Sequence, residues 1–252
     1  MCRHIAYLGN SLSLADLLIA PAFGLFRQSW APRQQQYGTI NADGFGAGWY
    51  AEDDVVPARY RRAVPIWADR SFADVARVSR SHCILAAVRS ATETMAPDES
   101  AAAPFSSGPW LFSHNGRVNG WPGSVKHLAA GLPASRLLEM EAPVDSALLW
   151  ALVLERLERG EEPGNALGQT AADASAAAGG RYNFLLTDGH RIAATACGDT
   201  LFWRAGPDGV AVASEPFDDG PGWRSVPGNT ILTAAGGEVA LRPLPAPWKD
   251  SA

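Results

Sequence analysis

The sequence predicts an α+β fold built from two antiparallel sheets with helices packed outside them. Short β-like segments occupy both ends of the 252-residue chain, and helical patterns occupy its middle. Nowhere does strand alternate with helix in the regular way that a doubly wound parallel sheet requires. With 47% apolar residues, a chain of this length has ample material for a core. The linkers are too short to mark a second unit, so residues 2–252 are expected to form a single domain.

Taken in order, Arg3 to Gly9 reads as a first strand, and Ser13-Leu-Ala-Asp16 resembles a capping box that opens a short helix ended by Pro21. Residues 22–40 mix Phe23, Phe26, Trp30, Arg33, Gln34 to Gln36 and Tyr37 without a sustained period; they read as a loop lying over something. Asn41 to Tyr50 is a turn leading into a Gly-rich strand, and a turn at Asp53-Asp54 makes a hairpin with residues 55–62. The glycines at 44, 46 and 48 suggest close backbone approach. Their spacing is not a dinucleotide fingerprint, which needs GxGxxG at a strand-to-helix junction.

Residues 72–80 carry an amphipathic helical pattern, and Cys83 to Val88 is a buried strand running into Arg89. Trp110 to Asn115-Gly116 reads as an apolar strand stopped by a strong turn signal. Asp145-Ser146 caps the most regular helix of the chain, with Leu148, Leu149, Leu152, Val153 and Leu157 at helical spacing. An Ala-rich helix over 165–178 ends at Gly179-Gly180. From Tyr182 onward come short strands at 183–187, 191–197, 201–204, 210–214, 230–234 and 239–242, separated by Gly or Asp turns.

Composition excludes several functions. Charged residues make up 19% and the net charge is −5, so there is no basic footprint for a phosphate backbone and nucleic acid is not an expected partner. Cys2, Cys83 and Cys197 form no CxxC pair, and the five histidines are scattered, so neither a metal ion nor any other cofactor is expected. Cys83 and Cys197 sit in apolar runs and read as buried small residues. Leu12 to Ala20 faintly imitates a signal peptide, but Asp16 interrupts it. No segment is long enough to span a membrane, and sparse, odd cysteines suit a reducing compartment. The cytoplasm is the expected location.

Cys2 is where chemistry enters. Removal of Met1 would make it a free N-terminus that carries nucleophile and base together: the thiol attacks, and an α-amine, with a pKa of roughly 7.7 to 8.0, relays the proton to the leaving amine. Such pairing is an established way to activate a nucleophile. Three other pieces each have an ordinary structural explanation. Asn115-Gly116 is by itself a hairpin turn, Arg89 a strand-end arginine and Asp145 a helix N-cap.

Together, Cys2, Arg89-Ser-Ala-Thr92, Ser113-His-Asn-Gly116 and Pro143-Val-Asp-Ser146 resemble, in order and across nearly the whole chain, the class II glutamine amidotransferase domains of the N-terminal-nucleophile hydrolases. Ala213-Ser-Glu215 stands where that family has its late strand-end motif. The resemblance implies a four-layer αββα sandwich, with Cys2 as nucleophile and Asn115 and Gly116 as donors to the tetrahedral oxyanion. It also implies that Arg89, with Thr92 beside it, takes the α-carboxylate of a γ-glutamyl group, and that Asp145 pairs with its α-ammonium.

Within that superfamily, Met1 to Gly9, Gln28 to Arg33 and Asn41 to Tyr50 are most similar to the ergothioneine-pathway γ-glutamyl hydrolases. That similarity implies hydrolysis of γ-glutamyl-hercynylcysteine S-oxide to glutamate and hercynylcysteine S-oxide. Glutamine-using relatives often carry His where this chain has Glu93 and Ala103, and no synthase domain is expected to follow. The substrate's trimethylammonium has no N–H to donate and calls for aromatic faces, for which Trp30 and Tyr37 on the loop over 22–40 are the candidates. Two other functions stay open: a glutaminase subunit supplying ammonia to a separate synthase, and a γ-glutamyl binding protein without turnover. A binding protein, however, has no need of a free N-terminal thiol.

Overall fold

The computed structural model describes residues 2–38, 40–91 and 98–245. Its strands are β1 (Arg3–Ser13), β2 (Phe45–Trp49), β3 (Ala58–Arg62), β4 (Arg80–Val88), β5 (Phe105–Ser107), β6 (Trp110–Val118) and β7 (Gly180–Thr187). They continue with β8 (Arg191–Ala196), β9 (Phe202–Gly206), β10 (Gly209–Ala213), β11 (Arg224–Ser225), β12 (Thr230–Ala235) and β13 (Glu238–Pro243). The helices are α1 (Leu14–Leu18), α2 (Leu25–Gln28), α3 (Arg70–Val78), α4 (Lys126–Ala130), α5 (Ala134–Leu138), α6 (Asp145–Glu158) and α7 (Pro163–Ala178). One sheet runs β11-β9-β10-β1-β4-β2-β3 and the other β13-β12-β8-β7-β6-β5. Their strands pair antiparallel.

The two-residue period of a strand sorts side chains into three cores. Ile5 and Tyr7 of β1, with Ile84, Ala86 and Val88 of β4, pack outward against Leu14, Leu17 and Leu18 of α1 and Phe72 and Ala76 of α3. Ala6, Leu85, Val210 and Val212 point the other way and meet Leu111, Leu185, Ile192 and Leu232 between the sheets. Phe112, Phe184 and Leu186 face outward again, against Leu148 and Leu149 of α6 and Ala166, Leu167 and Ala171 of α7. The layers are therefore helix, sheet, sheet, helix, as the sequence led one to expect. Because both faces of the inner strands are covered, Cys83 to Val88 reads as a continuous apolar run rather than an alternating one.

Local signals hold in several places. The capping box at α1 is present, with Ser13 Oγ accepting from Asp16 N and Asp16 Oδ2 from Ser13 N, each at 3.1 Å. The Gly-rich strand is β2, paired with β3 as a hairpin; a Cβ on Gly46 would lie 2.4 Å from the Ala103 carbonyl oxygen, which is the close approach its glycines suggested.

Three local expectations need correction. Residues 22–40 contain the short helix α2. Asp145 is the first residue of α6 and Val144 occupies the cap position, although Asp145 still accepts from the Ser146 amide at 2.7 Å. Asn115-Gly116 makes no turn: β6 continues through it to Val118, with Asn115 opposite Asn183 and Gly116 opposite Tyr182. Glycine is needed there for another reason. A Cβ on Gly116 would stand 2.0 Å from the Arg181 carbonyl oxygen, so the turn-like dipeptide serves a close strand contact.

Candidate active site

Cys2 precedes the first strand residue at one end of the sandwich and is partly exposed. Its nitrogen, which becomes the α-amine when Met1 is removed, lies 3.2 Å from Oδ1 of Asn115 on the facing sheet. A nitrogen that donates requires an acceptor, so the Asn115 oxygen must be the atom turned to Cys2. Its Nδ2 is thereby left pointing elsewhere. That amide nitrogen is buried without a hydrogen-bond partner among the described residues, a state that normally costs stability. The other two cysteines are different in kind. Burial pushes the thiols of Cys83 and Cys197 up to about 12, which leaves them protonated and inert.

Two residues inward on the same strand faces, His4 of β1 meets Ser113 of β6, Nδ1 to Oγ 3.2 Å. His4 is fully buried, and burial first, then the neighbouring Arg3 charge and His114, holds its pKa well below the ordinary imidazole range. The ring is neutral. Its backbone N–H donates to Ser214 Oγ at 3.0 Å, so the strand-end serine after β10 steadies β1 from the side.

Arg3 points away from His4, is 1% exposed, and donates from Nε to the Cys2 carbonyl at 2.9 Å. Burial lowers its pKa, while the carboxylates of Asp199 and Glu215 oppose that effect. Glu215 also accepts from the backbone N–H of Arg33 at 3.0 Å and of Gln34 at 2.8 Å. A single buried carboxylate thus ties the start of the loop over 31–38 to the chain just after β10.

Arg89 immediately follows β4, which lies beside β1 in the sheet, and is 7% exposed. Nη1 donates to the Asp43 carbonyl at 3.2 Å, and Nη2 is buried with no hydrogen-bond partner among the described residues. Asp145 is 6% exposed and accepts from the Val118 amide at 3.0 Å, which ties the start of α6 to the outer end of β6. The expected partner Thr92, like Glu93, lies outside the described residues. The loop parts the two candidate rings. Tyr37 lies over the Arg181 guanidinium, 4.5 Å from Cζ to ring centroid, whereas Trp30 packs edge-on against Phe26 at 5.0 Å and Trp67 at 5.6 Å.

A family model described as glutamine amidotransferases class-II matches residues 15–211. The chain belongs to the class II glutamine amidotransferases. It is 45% identical to the γ-glutamyl-hercynylcysteine sulfoxide hydrolase of Mycolicibacterium smegmatis, over 97% of this chain and 100% of that protein. It is 42% identical to a protein of the same name from Mycobacterium tuberculosis, over 97% of each. Among solved structures, a glutamine aminotransferase class-II domain protein from Silicibacter pomeroyi superposes with a TM-score of 0.72 at 24% identity, over 97% of this chain and 100% of that one. That last likeness concerns the fold.

Around Cys2 stand residues that the sequence did not single out. Asn183 faces Asn115 across the ladder and braces the turn after β8, accepting from Cys197 N at 2.8 Å and donating to the Asp199 carbonyl at 2.9 Å. Asp199 then pairs with Arg181 at 3.1 Å. The signal available was a pair of polar residues, His4 and Asn183, placed inside apolar strands where a buried polar group needs a reason. Among the described residues, no group of three or more His, Cys, Asp or Glu could hold a metal ion, and no helix is long and apolar enough to cross a membrane.

Proposed function

We propose that this chain hydrolyses the γ-glutamyl amide of γ-glutamyl-hercynylcysteine S-oxide to glutamate and hercynylcysteine S-oxide, through a γ-glutamyl thioester on Cys2. The observation that carries the substrate is 45% identity, over nearly the full length of both chains, to a γ-glutamyl-hercynylcysteine sulfoxide hydrolase. The working unit in this proposal is a single domain from Cys2 onward with Met1 removed, acting in the cytoplasm, where thiols such as those of the three unpaired cysteines stay reduced.

In the proposed reaction the Cys2 sulfur attacks the δ-carbonyl carbon and its proton passes by way of the α-amine to the leaving nitrogen. Asn115 Nδ2 and the Gly116 N–H donate to the oxyanion. The C–N bond then breaks, the leaving amine departs, and water cleaves the thioester by the same route. Arg89 and Asp145 hold the α-carboxylate and α-ammonium of the γ-glutamyl group, with Thr92 assisting Arg89. Tyr37 and Trp30 are the proposed aromatic faces for the trimethylammonium.

Purified protein offered the sulfoxide, γ-glutamylcysteine and glutamine separately is expected to release glutamate fastest from the sulfoxide, read by mass spectrometry. Glutamine cleaved as fast, and accelerated by an added synthase partner, would establish the ammonia-donor function in its place.

A further inference from the structure

In its sheet, β1 has β4 on one side and β10 on the other. Arg89 belongs to the β4 side. On the β10 side lies a second guanidinium, that of Arg181, placed there by several ties. Asp199, its partner at 3.1 Å, sits in a turn held by Asn183 and by Thr200 Oγ1, which donates to the Ser214 carbonyl at 2.8 Å. Tyr37, its cover, sits on the loop that Glu215 grips. Along β7, Arg181 is two residues beyond Asn183 on the same face, and Asn183 lies opposite Asn115. A γ-glutamyl group pinned at Arg89 with its δ-carbonyl at Cys2 therefore extends its leaving group toward Arg181.

The state of that arginine suits an anion. Among the described residues, only Nε of the guanidinium donates a side-chain hydrogen bond, and the acceptor, Asp199, is 2% exposed while Arg181 is 15% exposed. The pair fixes the plane of the fork and leaves both Nη groups available, and a fork of this kind matches a carboxylate. Tyr37 covers the guanidinium yet stays 51% exposed, so the cover comes from the solvent side.

We propose that Arg181, oriented by Asp199 and covered by Tyr37, binds the carboxylate on the carbon next to the scissile nitrogen, so that it selects amino-acid leaving groups over ammonia. An amide formed on the amino group of a cysteine carries that carboxylate; glutamine, whose leaving group is ammonia, does not. The assignment rests on the γ-glutamyl hydrolase function proposed above.

The test compares γ-glutamylcysteine with γ-glutamylethylamide, which has the same amide but no carboxylate, in the wild-type protein and in Arg181→Gln and Arg181→Lys. The wild type is expected to prefer γ-glutamylcysteine. Arg181→Gln is expected to lower kcat/KM for γ-glutamylcysteine by roughly ten- to hundredfold, mainly through KM, as loss of a charged hydrogen bond does. It should leave γ-glutamylethylamide within about twofold, by the same reasoning. Arg181→Lys keeps the charge that Asp199 needs, so it carries the comparison if the glutamine variant melts early, and it should retain part of the preference. Equal losses on both substrates, or none, would overturn the assignment, as would a wild type that treats the two amides alike. A wild type that cleaves neither amide nor the sulfoxide would instead remove the hydrolase function, and this assignment with it.

Discussion

The nitrogen of Cys2 and Oδ1 of Asn115 lie 3.2 Å apart across the two sheets, so one side chain both touches the nitrogen that removal of Met1 would free and keeps beside it an amide donor without a partner among the described residues. Asn115→Asp preserves the acceptor and removes the donor. That variant and Asn115→Ala are both expected to lose about 10²- to 10³-fold in kcat, the usual effect of deleting one oxyanion donor. An aspartate variant that kept more than about a tenth of wild-type kcat would show that Nδ2 is not such a donor.

Maturation is the second expectation. A retained Met1 turns the Cys2 nitrogen into an amide that takes up no proton, so active protein should begin at Cys2 by intact mass. Cys2→Ala deletes one sulfur from a partly exposed residue and is expected to abolish turnover while leaving the melting temperature nearly unchanged. Full activity in protein that still carries Met1 would sink the role of the terminus.

Anchoring of the γ-glutamyl group gives a third expectation. Arg89→Ala and Asp145→Ala should each impair every γ-glutamyl substrate whatever its leaving group, by about 2 to 5 kcal/mol in kcat/KM, the usual loss when a buried charge loses its partner. Asp145 also holds the Val118 and Ser146 amides, so its variant should melt earlier as well. Undiminished kcat/KM in Arg89→Ala would place the substrate carboxylate elsewhere.

What the sequence made legible follows from distance along the chain. The strands could be read because burial on both faces leaves apolar runs between Gly turns, and α1 because Ser13 and Asp16 sit three residues apart. Asn115-Gly116 misled at the level of local structure: its turn propensity is local, while its place in β6 is set by the close approach of Arg181 from β7. Glu215 grips the amide of Arg33 across 182 residues, and no periodicity encodes such a contact. The same holds for the position of Tyr37 over Arg181.

His4 makes stability depend on pH. Its folded pKa lies well below the ordinary value because of burial, while in the unfolded chain it titrates near about 6.5. Above that pH neither state binds the proton and the contribution is complete. As the pH falls below it, the unfolded chain takes up a proton that folded His4 refuses, so stability drops until the folded pKa is reached. Buried His114 acts in the same sense. Asp199, whose pKa burial raises, acts oppositely, adding stability as the pH falls through its folded value. Urea unfolding is expected to give a smaller free energy at about pH 5.5 than at about pH 7.5, with His4→Gln narrowing that difference. An unchanged difference in the variant would exclude His4 as a source.

The aromatic faces proposed for the trimethylammonium can be separated because the structure separates the rings. Tyr37 covers Arg181, and Trp30 packs with Phe26 and Trp67 at the other end of the loop. A permanent cation gains about 0.5 to 2 kcal/mol from an aromatic face, depending on how far it is desolvated. A small γ-glutamyl amide gains nothing from it. Tyr37→Ala is therefore expected to weaken hydrolysis of the trimethylated sulfoxide by roughly three- to thirtyfold and to weaken that of γ-glutamylcysteine, which carries the carboxylate but no trimethylammonium, by less. Trp30→Ala should show the same preference to a smaller degree, since its neighbours already occupy part of its surface. Measuring kcat/KM for both substrates in both variants decides it: a uniform effect on the two substrates from each variant would move the cation site away from this loop.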